Sequence, residues 1–151
     1  MPEHYTKSLP YELELTSRIL HEAAKCHFAQ CNYPISPEEF AILDCLYLKP
    51  DIIQIDLARM ILKGRAHTGR FLKSLEEKGY VKRKSERNGS KTVTKNIITK
   101  EGHALYNRIC SEIDKYIEET NSDVNIQIND VIKLLQEIRE NCMEKFDIKF
   151  E

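Results

Sequence analysis

No stretch of this sequence approaches the roughly 18 consecutive apolar residues of a membrane-spanning helix. The opening segment, MPEHYTKSLPYELELTSRIL, has no apolar run behind a basic start. Neither a membrane span nor a secretory leader is expected, which places the chain in the cytoplasm. Cysteine is sparse and poorly spaced for staples. The five thiols (Cys26, Cys31, Cys45, Cys110 and Cys142) are odd in number and include no CxxC pair. That excludes the usual disulfide scaffold or zinc ribbon. Most of them fall at apolar helix positions, where a thiol acts as a small hydrophobe. Repeats and low-complexity segments are absent. So is net charge: 23 Lys and Arg against 24 Asp and Glu leave −1, a balance that taken alone disfavours a polyanionic partner.

What the chain does have is segregation of charge. Between Arg59 and Lys95 twelve Lys and Arg stand against three Glu, so this window carries +9 and the remainder −10. A concentrated basic surface beside an acidic remainder suits a protein that docks one face onto a polyanion. With 151 residues, 41% hydrophobic and 31% charged, the chain is expected to make one soluble domain, or one domain with a helical extension.

Apolar spacing at Leu9, Leu13, Leu20, Ala24 and Phe28 predicts a helix over about 9–31, broken by Asn32-Tyr33-Pro34. Ser36-Pro37-Glu38-Glu39 is a strong start signal for a second helix: a capping Ser, Pro at the first turn, and Glu three residues after the cap. A short helix over about 54–62 buries Ile55, Leu57, Ala58 and Ile61. Gly64 is the expected turn residue through a positive φ. A helix over about 66–78 buries Phe71, Leu72 and Leu75 and ends on Gly79. That leaves Arg65, His67, Thr68, Arg70 and Lys73 pointing outwards. Residues 80–84 and 92–98 read as paired strands, with a polar tip, Glu86 to Lys91, carrying an Asn-Gly turn signal. Thr99 caps a helix over about 100–119 with Leu105, Ile109, Ile113 and Tyr116/Ile117 on one side. Asn121 to Asn125 form a polar connector. A last helix over about 126–146 carries Ile128, Val131, Leu135, Ile138 and Cys142 in one stripe.

The motifs in this order resemble the MarR family of bacterial winged-helix regulators. Ile35-Ser36-Pro37-Glu38-Glu39-Phe40-Ala41-Ile42-Leu43 looks like its "LTxxQFxVL" stretch, and Leu57-Ala58 like "LAxxL". Arg70, then Leu75-Glu76-Glu77-Lys78-Gly79-Tyr80-Val81 and Arg83, look like "TRxxxxLexkGlvxR", and Ile98-Thr99-Lys100-Glu101-Gly102 like "LTxxG". The resemblance implies a mainly α fold: a winged helix–turn–helix with a two- or three-stranded antiparallel wing, and flanking helices that form a dimerisation region. The implied organisation is residues 1–34 for dimerisation, 35–102 for DNA binding and 103–151 for dimerisation. Many family members carry Asp-x-Arg in the wing, the Asp orienting the Arg into a minor groove. Here Asn88-Gly89-Ser90-Lys91 takes that place, preceded by Arg87, so Lys91 or Arg87 is left to supply the cation.

The physics of the segment agrees. A helix held by its predecessor across a tight turn fits a major groove roughly 12 Å wide and presents its first turn to the bases. On a recognition helix of about 65–78, Arg65 and Arg70 suit bidentate pairing with guanine, His67 and Thr68 single hydrogen bonds, and Lys73 a phosphate. Gln54, at the start of the preceding helix, suits a backbone phosphate. A basic hairpin tip over 86–91 (Arg87, Asn88, Ser90 and Lys91) suits an adjacent minor groove.

Two copies reading half-sites about 34–36 Å apart read more sequence than one. The expected partners are therefore a pseudo-palindromic double-stranded operator and a second copy of this chain in an isologous contact. Leu9, Leu13, Val131, Leu135 and Ile138 offer more apolar surface than one small winged domain covers. The resemblance also implies a small-molecule effector or an oxidant-sensing cysteine, with Cys26 and Cys31 near His27 as candidates. These two thiols, five residues apart on one helix, are poorly placed to bridge each other. The His and Glu pattern of zinc-sensing members is not reproduced, so neither a metal nor a cofactor is expected. No motif supplies an oxyanion site or a third orienting group for a Cys-His pair, so no catalysis is expected. The rival reading is a winged-helix protein-interaction module without DNA binding.

Overall fold

In a computed structural model, which describes residues 4–61, 64–121 and 128–149, the chain is built of helices and one β-hairpin. After a single 3-10 turn at Tyr5–Lys7 come α1 (Leu9–Gln30), α2 (Pro37–Leu48), α3 (Gln54–Ile61), α4 (Arg65–Glu77), β1 (Val81–Asn88), β2 (Lys91–Ile98), α5 (Lys100–Asn121) and α6 (Ile128–Phe146). The two strands form an antiparallel sheet. A single bridge between Ile53 and Lys95 stands where the resemblance allows a third strand. The expected connector at 121–125 lies largely outside the described residues, as do the side chains of Tyr116 and Ile117. The chain divides into two compact units, one through Ala41 and the other from Ile42 onward.

In the first unit α1 ends because Asn32 turns left-handed at φ 52. That lets the Tyr33 amide reach back to the Phe28 carbonyl at 3.0 Å. Phe28 packs edge-on against Tyr33 and Phe40, with ring centroids 5.0 and 5.9 Å apart. It is the one buried residue of α1. The broad apolar face expected for this helix is only partly covered: Leu13 and Ala24 are half-buried, while Leu9 and Leu20 are 57% and 63% exposed. Ser36 and Glu39 close the expected reciprocal cap, the Glu39 amide donating to Ser36 Oγ at 3.2 Å and the Ser36 amide to Glu39 Oε2 at 2.8 Å.

The second unit has a conventional core. Leu57 from α3, Leu72 and Leu75 from α4, Val81 from β1 and Ile109 from α5 are each no more than 1% exposed. Burial of this kind stabilises by about 1.5–3 kcal/mol per large side chain. Gly79, at φ 81, ends α4 in the left-handed turn its position calls for, with the Tyr80 amide returning to Leu75 O at 2.9 Å. Thr99 opens α5 by accepting from the Gly102 amide at 3.0 Å, while its own hydroxyl donates to Gly79 O at 2.7 Å.

Two local expectations are corrected. Gly64 is not left-handed but extended, at φ −60 and ψ 153, and serves as the N-terminal cap residue of α4. The strands run further than 80–84 and 92–98, since Asn88 pairs with Lys91. The tip shrinks to Gly89-Ser90, with Gly89 at φ 66 in the first central position of a two-residue loop. Pairing persists because neighbours across the hairpin hold each other: Ser85 and Thr94 hydroxyls lie 3.5 Å apart, and Lys95 meets Glu86 at 2.9 Å.

Candidate nucleic-acid interface

Helical periodicity decides which side chains of α4 can meet a ligand. Thr68, Leu72 and Leu75 recur at spacings of four and three and are all fully buried. His67, Arg70 and Lys73 lie between them and are exposed. Thr68, expected to point outwards, does not. Its hydroxyl donates to the Gly64 carbonyl at 3.1 Å, and its amide donates to the same oxygen at 3.0 Å. It therefore fastens the first turn of α4 instead of offering a group to a base. The side chain of Arg65 lies outside the described residues. Lys73 keeps a loose pair with Glu77 at 3.9 Å, both well exposed, a contact of little energetic weight.

Behind α4 stands α3, and beyond it the hairpin. The hairpin tip presents Arg87, Asn88, Ser90 and Lys91, all exposed. The strand face that includes Lys84, Glu86 and Lys95 is not purely cationic. Glu86 lies 2.9 Å from Lys95 and 3.4 Å from Lys84. The hydrogen bond from Lys95 is the main reason the Glu86 carboxyl titrates below its ordinary value. Lys84 and Lys95 are thus partly neutralised, as Arg59 is by Asp56 at 3.2 Å. Among the described residues, the exposed cations without a carboxylate beside them include Arg70 on α4 and Arg87 and Lys91 at the hairpin tip.

Against this geometry, the MarR family model matches residues 35–91. Over those residues the chain is similar to the MarR family.

Solved structures carry the likeness across the fold. A MarR protein from Peptoclostridium difficile superposes with a TM-score of 0.78 at 20% identity, covering 99% of this chain and 97% of that one. A MarR-family regulator from Listeria monocytogenes, complexed with a 26mer DNA, gives 0.75 at 22% identity, covering 92% and 91%. The MepR–DNA complex of S. aureus gives 0.72 at 18% identity, covering 92% and 99%. No curated protein matches the chain in sequence.

Around α4 and the hairpin, two residues matter that the sequence did not single out for this purpose. Arg83 is half-buried and donates Nη2 to Gln54 Oε1 at 3.0 Å. Asn96 is fully buried and donates Nδ2 to Ile52 O at 3.1 Å. Strand alternation held the signal, because Arg83 shares a face with buried Val81, and Asn96 pairs with Arg83. Gln54, expected to hold a backbone phosphate, has its side-chain carbonyl engaged by Arg83.

Helices α1 and α6 expose several large apolar side chains. On α1, Leu15 and Ile19 are 45% and 62% exposed. On α6 no residue is buried. Val131 and Leu134 are well exposed there, and Leu135 and Ile138 are half-covered. Of the candidate sensor thiols, Cys26 is exposed and Cys31 half-buried. Cys31 Sγ lies 3.9 and 3.8 Å from the two ring nitrogens of His27. This near-equal approach sets the sulfur against the ring, not in line with one N–H. Among the described residues no group of three or more His, Cys, Asp or Glu is placed to hold a metal ion. None of their helices is long and apolar enough to cross a membrane.

Proposed function

We propose that this protein is a homodimeric, sequence-specific DNA-binding transcriptional regulator of the cytoplasm, acting as a repressor that competes with polymerase at its operator. Helix α4 enters the major groove with His67, Arg70 and Lys73 forward, and Arg65 at its first turn. The hairpin tip, Arg87 to Lys91, reaches toward the adjacent minor groove. One observation carries the reading: the exposed face of α4 is polar and cationic while its opposite face is locked into the core. Such a helix is rigidly aimed and has no apolar partner to find. Two of the similar structures hold DNA, which supports the same assignment.

The exposed apolar residues of α1 and α6 support pairing with a second copy through residues 1–34 and 103–151, giving two reading heads on a pseudo-palindrome. Release from DNA follows from binding of a small effector or from oxidation at Cys26 or Cys31, either of which would alter the spacing of the heads.

The test is a gel shift with random-sequence duplex at low and raised salt. The regulator binds, and its affinity falls steeply as salt rises, because each phosphate neutralised releases a condensed counterion. A protein-interaction module without DNA binding shows no shift at either salt. Recovering and sequencing the DNA that co-purifies from cells, with and without oxidant, then identifies the operator and reports whether the thiols control it.

A further inference from the structure

Arg83 and Asn96 face each other at the root of the hairpin, and both side chains leave the sheet for the chain that leads into α3. Asn96 takes the carbonyl of Ile52, and Arg83 takes the side-chain carbonyl of Gln54. Between these two ties, Ile53 bridges to Lys95. Gln54 is also fitted to α4. A Cβ added at Gly69 would come within 2.9 Å of Gln54 Nε2, so the amide occupies the space that the glycine leaves open. Three elements (wing, α3 and reading helix) therefore meet at one side chain.

We propose that Gln54, seated in the notch at Gly69 and bonded to Arg83, is a positioning residue that fixes the angle between the wing and α4, and so sets which flanking minor-groove position the wing reaches. This rests on the DNA-binding reading above. A two-stranded hairpin is marginally stable by itself, so its direction must come from its root. Beside the joint lies an open cleft of about 530 Å³, lined in part by Gln54, Arg83 and Lys91. Among the described residues no packed side chains fill this space between the start of α3 and the outer part of β2, so the ties at the root hold the angle. At about 3.3 Å per residue, Asn88 stands roughly 17 Å beyond Arg83, and a root rotation of about 10° moves it by about 3 Å. That displacement is the length of a hydrogen bond, enough to make or break the contact of a tip cation with a phosphate or groove edge. The tie is also more than filler. Among the described residues the buried Arg83 Nε has no hydrogen-bond acceptor, so the guanidinium is held on one neutral amide. Desolvating a charge this way costs stability, which an apolar contact at the same joint would not.

The experiment is a double-mutant cycle on the duplex that the wild-type protein selects from a random-sequence pool, read by affinity and by hydroxyl-radical footprint. Gln54→Ala and Arg83→Ala are each expected to weaken binding about tenfold. Both should blur the flanking protection and leave the central protection in place. The double variant is expected to be no weaker than the weaker single one. Gln54→Glu keeps an acceptor for Arg83 and retains the wild-type footprint, which a role in packing alone does not require. Should Gln54→Ala melt below the assay temperature, Gln54→Met, close in volume but without the acceptor, takes its place. Additive losses, or a wild-type footprint from the Ala or Met variant, overturn the proposal. If the wild-type protein selects no duplex and Arg70→Glu behaves like it, the DNA-binding reading itself has failed. When the wild-type protein binds and Arg70→Glu does not, a failed cycle counts against the role of Gln54 alone.

Discussion

The phenol of Tyr106 donates a hydrogen bond of 2.6 Å to the carboxylate of Asp44, tying α5 to α2. Tyr47 stacks on the same ring with centroids 4.5 Å apart. Burial first, and then the bond to Asp44, push the Tyr106 phenol well above the ordinary tyrosine range. Because the folded value is raised, the stabilisation is complete below the unfolded value of about 10. It declines as pH rises beyond that, since the unfolded chain sheds a proton that the folded chain keeps. Denaturant titrations should show stability falling above about pH 10, and less steeply in Tyr106→Phe. At neutral pH that variant should lose about 1–2 kcal/mol through the lost bond and the unpaired Asp44. Equal pH slopes for the two proteins would count against the assignment.

Gly102 has no room for a side chain. A Cβ there would stand 2.2 Å from the backbone oxygen of Tyr80 and 2.8 Å from Ile98 Cγ1. The start of α5 must therefore separate from the strands it caps before any larger residue fits. Gly102→Ala is expected to destabilise by about 3 kcal/mol, measured by urea unfolding. Gly79→Ala meets no atoms but must hold φ 81, and should cost only about 1–2 kcal/mol. If the two costs proved equal, conformational strain and not close approach would be the governing term at both.

The helix caps are legible in the chain because the interacting groups are near neighbours. Ser36 and Glu39, Thr99 and Gly102, and the left-handed residue after α4 each stand within a few positions of their partners. Such pairs fix element starts and stops whatever the rest of the molecule does. Thr68 misleads because its hydroxyl suggests a ligand, although its spacing from Leu72 and Leu75 already puts it on their face. The Gln54–Arg83 and Asn96–Ile52 bonds span 29 and 44 residues, and nothing local announces them. Gly64 reads as a turn residue on its identity alone. Its extended φ shows that an N-terminal cap position, which glycine also fills well, is the stronger demand. The uncovered stripes of α1 and α6 are visible as apolar periodicity, but periodicity cannot say whether the covering surface lies in the same chain.

The two faces of α4 should separate under substitution. Thr68→Val keeps the volume and removes the bond to Gly64, so it should lower stability by about 1 kcal/mol and leave base preference as it was. His67→Ala should do the opposite, altering preference in a binding-site selection with little change in melting temperature. A shifted preference in Thr68→Val would mean that the first turn of α4 opens when it meets DNA.

Charge reversal at Arg70 should abolish operator binding without unfolding the protein, because the side chain is exposed and reversal brings a carboxylate to the groove. Lys91→Ala and Arg87→Ala should weaken every duplex alike and lower the slope of log affinity against log salt by about one each. Unchanged operator affinity in Arg70→Glu would remove α4 from the reading role. An undiminished salt slope in Lys91→Ala would take the hairpin tip off the phosphates.

The outer helices give the last test. Helix α6 buries none of its residues within this chain, and Leu134 is 56% exposed. Fully covering one such leucine stabilises by about 1.5–3 kcal/mol, so a stripe of them repays association. The wild-type protein should sediment as a dimer, and Val131→Glu with Leu134→Glu as a monomer, since two carboxylates per chain would be desolvated on contact. The monomer should keep the helical content of the wild type, because those side chains already face solvent. It should nevertheless lose on the order of 10²-fold or more in operator affinity, because the second half-site is then no longer bound as an intramolecular event. A wild-type protein that sediments as a monomer at every concentration would leave the stripe without a purpose in this reading. A charged variant that remained dimeric would move the contact to α1 alone.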